Sequence, residues 1–195
     1  MVSEEMIKRC EWANSNALMK RYHDKEWGTP EHNDQMLFEF LILEGMQAGL
    51  SWNTILQKRE NFRKAFDNFD VKKIANYNEV KLDELLQNKG IIRNRLKIEA
   101  AITNAKTFIK LQNEFESFNN YIWSYVDYKP IHNSLRNLKD IPTTTLLSDT
   151  ISKDLKKRGF KFVGSTIIYA YLQAIGIIND HLTYCFRYNE LLKNY

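Results

Sequence analysis

The chain of 195 residues has only two cysteines, Cys10 and Cys185, and they stand near opposite ends. That spacing excludes the dense disulfide framework of a small secreted domain. Prolines number three and glycines seven, and no repeat or low-complexity linker interrupts the sequence, so collagen-like and linker-joined architectures are excluded. A long uninterrupted hydrophobic run is also missing. The longest apolar stretch, residues 160–178, is broken by Ser165, Thr166 and Gln173 and reads as a buried helix rather than a membrane span. The first nine residues carry Glu4, Glu5, Lys8 and Arg9 with no apolar segment, so no signal peptide is expected and the cytoplasm is the default location. A strong excess of one sign of charge is missing too. A net +4 permits a nucleic-acid partner without demanding one.

What is present is 44% hydrophobic and 27% charged residues, the balance of a soluble globular protein, at a length that suits one domain built from two small lobes, 1–195. No stretch alternates polar and apolar residues as a half-buried strand would. Helical spacing dominates instead. Residues 34–49 are apolar nearly all round, with Asn33 or Asp34 as the cap; Ser51 can cap a helix over 52–66. Further helices are expected over 71–77, 82–87, 95–112 and 118–126, and from an N-cap at Ser148 to Lys157. The fold class is all-α.

Two basic clusters stand out: Lys156, Lys157, Arg158 and Lys161 around Gly159, and Arg93, Arg95 and Lys97 after Gly90. Such runs are more often solvated helix ends than a nucleic-acid footprint. Four residues have metal-ligand chemistry. Cys10 and His23 are separated by twelve residues, His181 and Cys185 by three, and on a helix the latter pair would face the same way. Two thiolates and two imidazoles complete a closed tetrahedral zinc site, structural because it leaves no open position. Two buried cysteines with incidental histidines fit the same spacing.

The segment "LKKRGFKFVGSTIIYAYLQAIG" joins a basic helix end, a short turn bearing Gly159 and Gly164, and an apolar helix. It resembles the helix-hairpin-helix element of DNA glycosylases, although an ordinary packing corner has the same outline. In that element, backbone N–H groups and a helix N-terminus hold a DNA phosphate. Beside the endonuclease III type, "INDH" has Asn179 where the catalytic aspartate would lie, and Thr166 falls near the place of the Schiff-base lysine.

Together "CEW", "YHDKEWG", "LEGMQAGLSW", "KRENFRKAF", "WSYV", "IPTTT", "LKKRGFKFVGSTI" and "NDHLTYC" resemble the 3-methyladenine DNA glycosylase I family over residues 9 to 187. The resemblance implies a monofunctional hydrolase of base excision repair that flips and excises a cationic N-alkylated purine. Glu44 and Tyr22 match the residues that hydrogen-bond the base, Trp52 the one that stacks on it, and Trp12 an aromatic near the pocket. Leu50 lies where the family wedges a side chain into the gap, with Gln47 nearby. Gly159, Lys161, Val163, Gly164 and Ser165 match the DNA-binding hairpin. One structural zinc per chain is implied at Cys10, His23, His181 and Cys185. Implied partners are double-stranded DNA with alkylated bases and free 3-methyladenine as product, for a monomer with no membrane attachment. A reading from another class is a non-catalytic, metal-stapled DNA-binding module. The acid Glu44 among aromatic residues favours the enzyme. Trp27 and Trp123 read as core, and His32 and His132 carry no role.

Overall fold

The computed structural model describes residues 7–193; Glu4 and Glu5, on which part of the N-terminal reading rests, lie outside the described residues. Among the described residues are ten α-helices. They are α1 (Ala17–Lys25), α2 (Asp34–Gln47), α3 (Trp52–Ala65), α4 (Val71–Ala75), α5 (Glu79–Gln87), α6 (Arg95–Phe115), α7 (Phe118–Ser124), α8 (Leu146–Arg158), α9 (Ser165–Ala174) and α10 (Phe186–Lys193). None is long and apolar enough to cross a membrane.

The centre is α2. Leu37 through Met46 are all buried, acids included, and the helix touches α3, α6, α7 and α9. Its start is capped by Asn33, whose side chain accepts from the Met36 N–H at 3.1 Å. Asp34, the alternative cap, instead accepts from the Phe118 and Asn119 N–H groups at the head of α7, tying the two helices together. The far end of α2 is capped from another helix. Lys97 Nζ donates to the carbonyls of Met46 at 2.8 Å and Ala48 at 2.7 Å. Lys97 is therefore a buried cap for orphan carbonyls, not part of a basic surface. Burial also lowers its pKa. Its neighbour Arg95 is paired with Glu79, Asp83 and Glu99, which leaves Arg93 as the exposed member of this cluster with no ion pair among the described residues.

Several boundaries differ from the sequence reading. Two helices, α1 and α10, were not anticipated; α1 is capped by Asn16, which accepts from the Met19 N–H at 3.0 Å. The start of α5 lies three residues early because Asn78 caps it, and α6 runs on to Phe115 until Glu116 turns left-handed at φ 67°. The cap of α8 is Thr145, not Ser148. Thr145 accepts from the Ser148 N–H and Ser148 Oγ accepts from the Thr145 N–H, a reciprocal capping box. The apolar stretch 160–178 is not one helix: α9 ends at Ala174, and Gly176 (φ 73°) follows. A Cβ at Gly176 would lie 2.3 Å from the backbone of Thr29 and Pro30. After it comes β2 (Ile178–Asn179), which pairs in parallel with β1 (Ile131–His132). Two-residue strands leave no alternation for a sequence to show, yet this pair fixes the approach to His181.

Candidate active site and metal centre

Cys10 opens the 3-10 turn before α1 and His23 lies near the end of α1. His181 and Cys185 lie in the turn after β2, not on a helix, so the expected i, i+4 helical face is wrong although the pair does converge. The turn is shaped by Asn179, whose Oδ1 accepts from the His181 N–H at 3.1 Å and whose Nδ2 meets His132 Nδ1 at 3.0 Å. That gives His132 a role missed in the sequence. All four ligand atoms are buried within 4.8 Å of one another.

The donor set fits a tetrahedral ion. Metal–sulfur and metal–nitrogen bonds of about 2.3 and 2.05 Å place neighbouring sulfur and nitrogen ligands about 3.6 Å apart. Here Cys10 Sγ lies 3.8 Å from His181 Nδ1, Cys185 Sγ 3.6 Å from the same nitrogen, and Cys185 Sγ 3.4 Å from His23 Nε2. Each imidazole is fixed by its other nitrogen: His23 Nδ1 meets Asp24 Oδ1 at 2.7 Å and His181 Nε2 meets the Trp27 carbonyl at 2.9 Å. Such outer partners set the tautomer and turn the free nitrogen inward. Asp24 is in turn gripped by Arg9. Burial would raise the Asp24 pKa, but hydrogen bonds from Arg9 and His23 hold it below the ordinary range. Burial lowers the pKa of His181, favouring the neutral ring a ligand needs. A hydrogen bond from Cys10, together with both imidazoles, draws the Cys185 thiol toward thiolate. The group can hold a metal ion.

Beside this centre lies a cavity of about 280 Å³ lined by Trp12, Met19, Tyr22, Trp27, Glu44, Gln47, Trp52, Ala170 and Gln173. Trp12 and Trp27 meet edge to face at 5.0 Å, and the rings of Tyr22 and Trp52 lie 5.3 Å apart. Trp27 is thus both core and cavity wall, which corrects its assignment to the core alone. Glu44 comes from buried α2 and makes no side-chain hydrogen bond among the described residues. Burial pushes its pKa up to about 8. Burial and the nearby Glu44 also raise Tyr22 well above its ordinary value, so its hydroxyl stays protonated. The Trp52 indole N–H is buried without an acceptor. Among the described residues, no lysine or arginine borders the cavity. Aromatic faces and one carboxyl, with no competing cation, suit a flat cationic ligand.

A cleft of about 200 Å³ shares Glu44, Gln47 and Ala170 with the cavity and is lined further by Ala48, Gly49, Leu50, Thr166 and Ile167. Leu50 stands 42% exposed at its rim. On the other side is the hairpin between α8 and α9. Gly159 is left-handed (φ 103°) and ends α8. Asn104 of α6 brackets Lys161, accepting from its N–H at 2.7 Å and donating to its carbonyl at 2.9 Å. Ser152 Oγ donates to the Val163 carbonyl at 2.6 Å. The Val163 side chain is buried, and Ser165 Oγ turns back to Ser148 and Asp149. These two therefore offer backbone, not side chains, to the outside. No side chain caps α9, and a Cβ on Gly164 would meet nothing within 4 Å. Lys161 is exposed, whereas Arg158 of the same cluster is paired with Asp154 and Glu114.

The remaining residues of the opening motif are also accounted for. Asp180, adjacent to Asn179, is fully buried and accepts from Tyr169, Gln173 and Asn133. It borders neither the cavity nor the cleft. Met19, Ala170 and Gln173 were not singled out in the sequence; the last two lie three residues apart on one face of α9, a spacing that could have revealed them.

A family model described as methyladenine glycosylase matches residues 12–188. The DNA-3-methyladenine glycosylase of Haemophilus influenzae is 48% identical over 180 residues, covering 92% of this chain and 97% of that protein. A crystal structure of a 3-methyladenine DNA glycosylase I superposes with a TM-score of 0.89 at 50% identity, covering 92% of this chain and 98% of the other. A Staphylococcus aureus 3-methyladenine DNA glycosylase I, solved to explain 3-methyladenine recognition, superposes with a TM-score of 0.88 at 35% identity, with 91% and 95% covered.

Proposed function

Since the chain belongs to the methyladenine glycosylase family, we propose that it excises 3-methyladenine from alkylated DNA by hydrolysing the N-glycosidic bond, as a step of base excision repair. The observation that carries this reading is a buried, unpaired carboxyl, Glu44, in an aromatic cavity that no basic side chain borders. A phosphate-binding module gains nothing from such a group.

The chain works as one cytoplasmic, monomeric domain. The hairpin backbone from Gly159 to Ser165 holds a phosphate, with Lys161 adding charge. Leu50 fills the gap left when the damaged base swings out, with Gln47 beside it. Flipping costs a few kcal/mol, less for a damaged base. Stacking on Trp52 returns roughly 1–3 kcal/mol, and Tyr22 and Trp12 complete the walls. In the empty cavity Glu44 keeps its proton below about pH 8. A cationic base beside it lowers that pKa, so the proton leaves and a carboxylate faces the cation. A neutral base brings no such charge and gains no such attraction.

The bond between C1′ and the purine nitrogen then breaks, and its electron pair neutralises the positive ring. Water adds to C1′ and loses a proton, giving the abasic sugar and neutral 3-methyladenine. Because the ring is already positive, the base departs as a neutral molecule and needs no added proton to leave. Neither the cavity nor the cleft contains a lysine, so no Schiff base forms and the strand stays intact.

Cys10, His23, His181 and Cys185 hold one zinc ion. Bound there with four protein ligands, zinc organises the fold and has no open position for water. Release of bases from alkylated, hypoxanthine-containing and uracil-containing duplexes tests the whole reading. Only 3-methyl purines should be freed, with no strand cleavage. Efficient release of hypoxanthine or uracil, or no release at all, would refute it.

A further inference from the structure

The geometry points to Gln173 as a specificity-determining residue that reads the amino group at position 6 of the bound purine, held in orientation by Asp180. This rests on the reading of the cavity as a purine site. Gln173 borders the cavity on the same face of α9 as Ala170. Its Nε2 lies 2.7 Å from Asp180 Oδ2. Tyr169, one turn earlier on α9, donates its hydroxyl to the same oxygen at 2.5 Å, and Asn133 Nδ2 donates to Oδ1 at 2.7 Å. Asp180 is 0% exposed, so no water competes for these bonds.

The chemistry of the partners fixes which way round the Gln173 amide sits. A carboxylate only accepts hydrogen bonds, so the end of the amide turned toward it must be the NH₂. Rotating the amide would set two oxygens against each other in a buried place. Gln173 is left with its carbonyl oxygen, which makes no hydrogen bond among the described residues. It is an acceptor that cannot become a donor.

A fixed acceptor distinguishes purines by what they carry at position 6. Adenine has an amino donor there, guanine and hypoxanthine a carbonyl acceptor. Glu44, which gains and loses a proton, can serve either kind of edge, and Tyr22 O–H can donate or accept. Gln173 alone among these is locked to one sense. Asp180 acts as a positioning residue, through Gln173, without touching the base. This also accounts for an acid next to the metal ligand His181 that the metal does not use.

The test measures binding of two free bases, 3-methyladenine and 3-methylpurine, which lacks the substituent at position 6. Wild-type protein should prefer 3-methyladenine. Gln173→Met keeps the length of the side chain and removes the acceptor. It should weaken 3-methyladenine roughly five- to tenfold, the worth of one hydrogen bond, and leave 3-methylpurine within about twofold. Asp180→Asn frees the amide to turn and should produce a smaller loss of the same selective kind. Binding of 3-methylpurine doubles as the control for folding, and Asp180→Asn carries the test should Gln173→Met not fold. Equal loss for both bases, or an unchanged ratio, would overturn the assignment. Failure of the wild-type protein to bind either base would instead overturn the purine-site reading on which it stands.

Discussion

Glu44→Gln should stabilise the protein and impair it at once, and the size of the first effect follows from burial. The carboxyl's ordinary value is 4.5, and in the folded protein it is pushed up to about 8 by desolvation. Between those values the folded state keeps a proton that the unfolded chain has lost. Stability therefore falls as pH rises, by up to about 1.4 kcal/mol per pH unit, and levels off above about pH 8. From pH 6 to pH 9 the wild-type protein should lose roughly 2–3 kcal/mol relative to Glu44→Gln, whose amide does not titrate. Urea unfolding of both proteins across that range, at constant salt and with metal present, measures the difference directly. The range stays above the acid region, where loss of a proton-sensitive metal site would intrude. Base release measured in parallel should fall roughly ten- to a hundredfold, since a neutral amide gives up a charged hydrogen bond. A stability difference that does not change with pH would refute the argument. It would mean that Glu44 is paired or hydrated in solution and has no unusual proton affinity to offer a cation.

Other expectations follow from the same geometry. Cys185→Ala should abolish stoichiometric metal, read by elemental analysis, and lower the melting temperature well before it harms chemistry at low temperature, because a closed site activates no water. Gly164→Ala should keep the fold, since nothing lies within 4 Å of the new Cβ, at a cost of about 1 kcal/mol for a poorer N-cap of α9, yet weaken binding to every duplex in a DNA titration. Lys161→Gln should weaken duplex binding regardless of sequence and make its salt dependence shallower by about one counterion. Lys97→Met should cost about 1–3 kcal/mol by leaving the Met46 and Ala48 carbonyls uncapped. It should also slow base release, because Leu50 and Gln47 sit at that helix end.

What the sequence disclosed and what it hid divide along physical lines. The helices α2 and α3 were legible because dense apolar spacing and strong Asn and Ser caps act over a few neighbouring residues. The short helix α10 was not, because an eight-residue amphipathic stretch carries too little periodicity. The four metal-ligating residues were recognisable by type, but the assumed helix between His181 and Cys185 was wrong. An Asx turn at Asn179 and a two-residue strand pairing, both dependent on residues 131–133 far away in sequence, shape that segment instead. The basic cluster at residues 93–97 misled for a similar reason. Charge can be counted in sequence, but whether a lysine faces solvent or a carbonyl is decided by packing. Glu44 drew notice as an acid in an apolar helix, whereas Gln173 looked like one polar residue among many until its amide was seen to be tethered.

The metal centre and the cavity share a partition. Trp27 lends its carbonyl to His181 and its ring to the cavity, while Trp12 stands 5.2 Å edge-on to His23 and lines the same space. Nearly the whole polypeptide lies between Cys10 and Cys185, so losing an ion held there would let both chain ends part together and take one wall of the cavity with them. Amide exchange over residues 8–25 and 175–186 should accordingly occur in a single cooperative opening, as one unfolding unit. A chelator would merge that opening with the loss of ligand binding, while α4, α5 and α6 keep their protection. An ion that takes part in no bond-breaking step would thus govern how long the protein remains able to receive a base.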